Sequence, residues 1–290
     1  MAGRFARQRI ARDGVELAVV DEGDGPVVLL LHGWPDSADL WRLQIPPLVD
    51  AGFRVVAPDL RGFGASDRPV DVSAYRIGES LRDMVAVLQA LEIDRVDLVG
   101  HDWGAPVAWL FATFQPRMTR RLAVLSVGHP SVFGGPRDDG GPPLDHLRRQ
   151  WYSLMFQFEG VAEQWLSGDD WRRFRAFAAP ARDIDRYIAD LSRPGALRAS
   201  LNWYRANSPL RALTGDTRPL PPVPAHVDVL GLWSDGDNYL VESQMRDSHV
   251  HVAGEWRYER VAGAGHWMQL DQPDVVTRLL LEHLAAGRYG

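Results

Sequence analysis

The chain has 290 residues, 46% of them hydrophobic and 24% charged, with eleven tryptophans and a formal net charge of −6. Such a length buries one large core or two smaller ones, and the aromatic content is that of a globular protein. The acidic balance without a long basic run leaves no footprint for a nucleic acid, and the absence of cysteine excludes disulfides, thiolate metal sites and cysteine nucleophiles.

The opening segment MAGRFARQRIARDG is arginine-rich, but no apolar stretch of signal-peptide or transmembrane length follows it. The N-terminus is therefore read as mature, with no membrane partner, and the cytoplasm is the default location. From residue 8, QRIARDGVELAVVDEGDGPVVLLLHG reads as three successive strands separated by turn signals. Further buried strands are expected at RVVAPD from 54, VDLVGHD from 96 and LAVLSVGHP from 122. Helical spacing occupies 80–93 and 105–116, the second stopped by Pro116. Alternating strands and helices predict an α/β fold: a mostly parallel sheet, helices on both faces, function at the carboxyl ends of the strands.

After PSVFGGPRDDGGPP (130–143) the pattern breaks. Aromatic and arginine-rich helical periodicity runs to about residue 213, TRPLPPVPA (217–225) reads as a stiff return linker, and HVDVLGLWSD and RYERVAGAGH resume the strands. The expected layout is a core of 1–131 and 216–290, with 132–215 inserted as a helical cap, or lid, over the strand ends.

In Gly100-His101-Asp102-Trp103-Gly104 an apolar strand enters and a helix leaves, with small residues on both sides of an exposed aspartate. That is the context of a nucleophile elbow, with a carboxylate where serine is usual. A helix-capping carboxylate is the competing reading of this stretch alone. An elbow requires an acid and then a histidine at the ends of later strands. LGLWSDGDNYLV supplies Asp235 and Asp237, and VAGAGHWMQLDQP supplies His266 in a glycine-rich turn. The fold takes its oxyanion donors from the loop after the first buried strand and from the residue after the nucleophile, here the Trp34 and Trp103 amides. His129, before a proline at a strand end, is a candidate for the substrate pocket, although a satisfied structural histidine is the favoured reading. His101 is expected to point away from Asp102, and His249 and His251 to lie on the surface as a poor metal pair. No metal site or cofactor is expected.

The Asp-bearing elbow, the His-Gly-Trp-Pro loop, RGFGASDRP (61–69) and GHWMQLDQP (265–273) together resemble the α/β-hydrolase superfamily. Within it they are similar to the branch of epoxide hydrolases and haloalkane dehalogenases that use an aspartate nucleophile. The resemblance favours Asp237 over Asp235 as the acid. LNWYRAN (201–207) resembles the epoxide hydrolase lid segment whose tyrosine donates to the epoxide oxygen, which implies that role for Tyr204. WYSLMFQFEGVAE (151–163) resembles the segment with the partner tyrosine, implying Tyr152, with Tyr187 as competitor. Trp203 and Trp267 are expected to line the pocket.

The resemblance implies hydrolysis of an epoxide to a vicinal diol through an ester on Asp102, followed by water attack driven by His266 and Asp237. The implied partners are a small apolar or aromatic epoxide and water, with a homodimer left open. A haloalkane or haloacid dehalogenase with the same nucleophile is the alternative, although no arginine follows the elbow to hold a haloacid carboxylate. A non-catalytic ligand-binding member of the fold is the third reading.

Overall fold

The run Val27–Leu31 has no polar member, the pattern of a strand covered on both faces, and all five of its residues are buried. The structure, a computed structural model, describes residues 5–133, 144–179, 181–207 and 220–285. Its strands are β1 (Gln8–Arg12), β2 (Val15–Glu22), β3 (Val27–Leu31), β4 (Arg54–Pro58), β5 (Val96–His101), β6 (Thr119–Leu125), β7 (Asp228–Ser234) and β8 (Trp256–Val261). They form one sheet in the order β1-β2-β4-β3-β5-β6-β7-β8. β1 and β2 enter antiparallel, and all pairings from β4 to β8 are parallel.

β4 lies on one side of β3 and β5 on the other. The chain thus reverses its direction of winding at β3, and the crevice outside the carboxyl ends of β3 and β5 is where such sheets bind ligands. Helices α1 (Ile45–Asp50), α2 (Ile77–Ala90) and α3 (Gly104–Phe114) cover the sheet. α3 stops two residues before Pro116, as expected. α2 ends at Ala90, short of the expected 93, because Glu92 turns the chain with φ 57° and the Ile93 amide reaches back to the Leu88 carbonyl.

Between β6 and β7 the described residues form α4 (Leu144–Arg149), α5 (Trp151–Met155), α6 (Val161–Ala178), α7 (Ile184–Leu191) and α8 (Ala196–Asn207), with no strand among them. Residues 134–143 and 208–219, which carry the far boundary near 215 and the start of the expected linker, lie outside the described residues. α8 is bound to the core by Trp203 Nε1, which donates to the Arg61 carbonyl (2.9 Å), and by Asn207 Nδ2, which donates to the Tyr75 carbonyl (2.7 Å). From α7, Arg186 reaches Asp36 in the loop after β3 at 2.7 Å. The helical segment therefore docks on the carboxyl-terminal side of the central strands. Among the described residues no helix is long and apolar enough to cross a membrane.

Candidate active site

β5 ends in a turn that puts Asp102 at φ 50°, a left-handed conformation that strains any residue bearing a Cβ. Its neighbours must be glycine for steric reasons. A Cβ on Gly100 would come within 2.4 Å of the Gly104 carbonyl oxygen, one on Gly104 within 2.2 Å of the Leu31 carbonyl oxygen, and one on Gly33 within 2.3 Å of the Asp102 Cβ. Because Leu31 of β3 pairs with Gly100 of β5, the loop after β3 lies directly against the elbow. The Trp34 amide donates to Asp102 Oδ1 at 2.6 Å, and the Trp103 amide also donates to this carboxylate. Both expected oxyanion donors thus converge on Asp102.

His266 faces the other carboxylate oxygen, with Nε2 3.4 Å from Asp102 Oδ2 and Nδ1 2.8 Å from Asp237 Oδ2. Asp237 in turn accepts the Tyr239 amide (2.8 Å) and the Leu240 amide (3.0 Å) on Oδ1. Asp235 is exposed and instead caps the Gly263 amide at 2.9 Å. Of the two aspartates it is Asp237 that meets His266.

Burial disfavours every charge in this row, yet the three charges stabilise one another. Burial alone would depress the His266 pKa, but the carboxylates of Asp237 and Asp102 raise it to about 10. Asp102 and Asp237 are buried too, and the imidazolium with the donating amides holds both below the ordinary carboxylate range. The resting site is therefore carboxylate, imidazolium, carboxylate. A group raised from 6.5 to about 10 stabilises the fold in full below pH 6.5 and loses that contribution as pH rises through about 10. The melting-temperature advantage of the wild type over His266→Gln is accordingly expected to shrink between these limits, measured by calorimetry across the range.

Tyr204 on α8 and Tyr152 on α5 stand face to edge, ring centroids 5.9 Å apart. Burial first, and then the Asp102 charge, drive both phenol pKa values well above 10, so both hydroxyls stay protonated. The Trp103 indole, whose ring lies 5.1 Å from that of Tyr204, hydrogen-bonds the Tyr204 hydroxyl. Tyr187 is elsewhere: it packs on Trp267 (5.8 Å) and beneath the Arg186 guanidinium (5.1 Å).

The three residues expected at the pocket divide. Trp267 packs edge-on against the His266 ring at 5.1 Å. Trp203 sits one layer back, between Trp103 (5.8 Å) and Phe63 (5.9 Å). His129 is fully buried away from the carboxylates, stacked on His251 at 4.5 Å and edge-on to Trp109 at 5.2 Å. That stacking leaves His251 half-buried, while His249 is exposed.

The walls around the tyrosines come from Phe156 of the quoted lid segment and Trp34 of the loop after β3, together with Phe177 and Tyr239, to which the sequence assigned no role. Phe177 lies 5.2 Å from Tyr152, Tyr239 lies 5.1 Å from His266, and Phe156 lies 4.9 Å from Tyr204, with Trp34 against Phe156 and Phe177. Behind the histidine, His101 does more than turn away: its Nε2 bonds the His266 carbonyl at 2.9 Å, and the Ser126 hydroxyl donates to the same oxygen at 3.2 Å. A carbonyl only accepts, so the proton of His101 is on Nε2. The imidazole is neutral, its pKa pushed down to about 3 by burial and by the neighbouring His266 charge.

A family profile described as the alpha/beta hydrolase fold matches residues 26–273. Over its length the chain is 32% identical to the AB hydrolase superfamily protein YfhM of Bacillus subtilis (strain 168), covering 96% of this chain and 97% of the relative. It is 33% identical to Epoxide hydrolase A of Mycobacterium tuberculosis (strain ATCC 25618 / H37Rv), covering 97% and 98% of the two chains. The crystal structure of Epoxide Hydrolase A from Mycobacterium thermoresistibile superposes with a TM-score of 0.79 at 29% identity, over 97% of this chain and 98% of that one. Sheet order, full-length likeness and the match of the family profile agree: the chain belongs to the α/β-hydrolase family and is an enzyme of its epoxide hydrolase branch.

Proposed function

We propose that this enzyme opens epoxides through a covalent ester on Asp102, with Tyr152 and Tyr204 as proton donors and the His266–Asp237 pair activating water. The observation that carries the reading is the division of labour on one carboxylate: Oδ1 takes the Trp34 amide while Oδ2 faces His266. Oδ2 attacks the epoxide carbon and the C–O bond of the ring breaks. The departing oxygen takes a proton from a phenol, a neutral acid at pH 7 that is strong enough to protonate an alkoxide. The helices between β6 and β7 act as the cap that brings these phenols over the nucleophile and excludes water from the apolar wall.

Esterification removes the Asp102 charge, and with it one of the two carboxylates that keep His266 protonated. The imidazolium then gives up its proton, which restores the phenol that protonated the alkoxide, and His266 becomes a base. A water molecule yields one proton to Nε2, and its hydroxide adds to the ester carbonyl of Asp102. The negative oxygen that forms is Oδ1, already held by the Trp34 amide, with the Trp103 amide donating to the same carboxylate. Such a donor is worth about a hundredfold to a thousandfold in rate. Collapse releases the diol, which keeps the second proton of water, and regenerates carboxylate and imidazolium. An aspartate suits the elbow because its ester has a carbonyl that water can attack.

A dehalogenase would need indole N–H groups converging on a halide. Here Trp34 Nε1 donates to the Ser200 hydroxyl at 3.1 Å, and the Trp103 indole serves Tyr204, which supports the epoxide reading. Incubation with styrene oxide and, in parallel, with a bromoalkane is the test: diol without bromide release is expected, and bromide without diol would overturn the reading. Tyr152→Phe and Tyr204→Phe should each slow ring opening roughly tenfold to a hundredfold, the worth of one hydrogen bond to a developing charge. The double variant should lose more than either alone, as measured by single-turnover kinetics.

A further inference from the structure

Gln150 stands at the junction of α4 and α5, where the helical segment meets the loop that carries Asp237. Its Nε2 lies 3.0 Å from the Tyr239 carbonyl oxygen and 3.0 Å from the Tyr152 hydroxyl, while its Oε1 accepts from the Ser153 hydroxyl at 2.9 Å. The carbonyl fixes the orientation of this amide. A carbonyl oxygen only accepts, so the NH2 end must face Tyr239, and turning the amide over would set two oxygens against each other. The same nitrogen then meets Tyr152, and it has no lone pair with which to accept. One of its hydrogens serves Tyr239, and the other serves the phenol oxygen.

We propose that Gln150 is a positioning residue that presets the polarity of Tyr152: by donating to the phenol oxygen, it obliges the phenol hydrogen to point away, toward the substrate side of the site. This rests on the reading of Tyr152 as a proton donor to the epoxide. A free phenol rotates its hydrogen toward any acceptor within reach, and the Tyr239 carbonyl shares the Gln150 amide with this hydroxyl while the Asp102 charge bears on it. With the Tyr239 carbonyl satisfied by Gln150 and the phenol oxygen already accepting, that choice is removed before substrate arrives. The bond also makes Tyr152 a better acid, since a donor on the oxygen stabilises the phenolate that forms as the proton leaves. Arg149, the preceding residue, donates to the Asp237 and Leu240 carbonyls, so two adjacent side chains tie the phenol-bearing helix to the acid loop. Tyr204 is treated in the same way, because an indole N–H can only donate and the Trp103 indole is bonded to its hydroxyl.

The test uses Gln150→Glu, which keeps the shape and replaces the donor by an acceptor, and Gln150→Leu, which removes both, each in the wild-type and Tyr152→Phe backgrounds. With styrene oxide in single turnover, each variant should slow formation of the alkylated enzyme at least tenfold while changing ester breakdown less than twofold. In the Tyr152→Phe background neither should change the alkylation rate by more than twofold, because the oxygen through which Gln150 acts is gone. Equal losses in both backgrounds would mean that Gln150 only supports the fold, and would overturn the proposal. If the wild type forms no diol, the epoxide reading fails by itself. The hydrogen bond is then read on protein labelled at the tyrosine Cζ carbon, with the Tyr152 signal identified by its loss in Tyr152→Phe. Gln150→Glu should move that signal downfield as the phenol turns to donate to the carboxylate, and an unmoved signal would overturn the proposal.

Discussion

Asp102→Ala is expected to abolish diol formation from styrene oxide, with a loss of roughly ten-thousandfold or more in kcat, the scale seen when a covalent nucleophile is removed. The size follows from what leaves with the side chain. Without the carboxylate the amides of Trp34 and Trp103 have no ester carbonyl to polarise, and His266 faces a cavity, so water activation has no target. Melting temperature should change little, because the strain at φ 50° remains with any residue bearing a Cβ, and removing a mostly buried charge offsets the loss of its pairing with His266. Chromatographic diol analysis checks the rate and calorimetry checks the fold. A second measurement addresses the route. In a single turnover of wild-type enzyme in 18O-labelled water, the diol should carry no label and Asp102 should gain it, because water attacks the side-chain carbonyl and not the substrate carbon. Label in the first diol would exclude the ester.

His266→Gln is expected to separate the two halves of the reaction. Asp102 retains its Trp34 and Trp103 amides, stays ionised at neutral pH, and can still open the epoxide. Hydrolysis of the ester then lacks a base and should slow about a hundredfold to ten-thousandfold. The enzyme should stop after one equivalent, its mass increased by that of the epoxide, seen directly by intact-protein mass spectrometry. Asp237→Asn should fall short of this block, because the imidazole remains but loses the carboxylate that orients it and supports its positive charge. Steady-state turnover without any accumulated adduct in His266→Gln would show that this histidine is not the base.

The order of events along the chain was legible because each part has a local signature. Gly100 and Gly104 could be read as small residues demanded by a sharp turn, and the later Asp and His follow the order of an elbow; that Gly33 tolerates no Cβ emerged only from its approach to Asp102. Asp237 was separable from Asp235 by resemblance alone; the structure supplies the reason, since two amides bind Asp237 Oδ1 while Asp235 serves a distant turn. His129 kept two readings because a histidine before a proline at a strand end has no sequence mark that distinguishes a pocket from a stacked pair. Its partner, His251, is 122 positions later in the chain.

What the amino-acid order determined by itself was the succession of parts: strands as unbroken apolar runs, a carboxylate at the elbow, then an aspartate and a histidine at the ends of later strands. Hydrophobic period and glycine sterics act over a few residues, so they can be read locally. The wall of Phe156, Phe177 and Tyr239, the bond from His101 to the His266 carbonyl and the donor that Gln150 offers to Tyr152 were decided only in three dimensions. The wall and the His101 bond join segments tens of residues apart, and the Gln150 amide, two residues from Tyr152, is oriented by the distant Tyr239 carbonyl. Whether a glutamine amide meets a phenol or water depends on how α4 and α5 dock on the loop after β7, and no periodicity in the sequence records that docking.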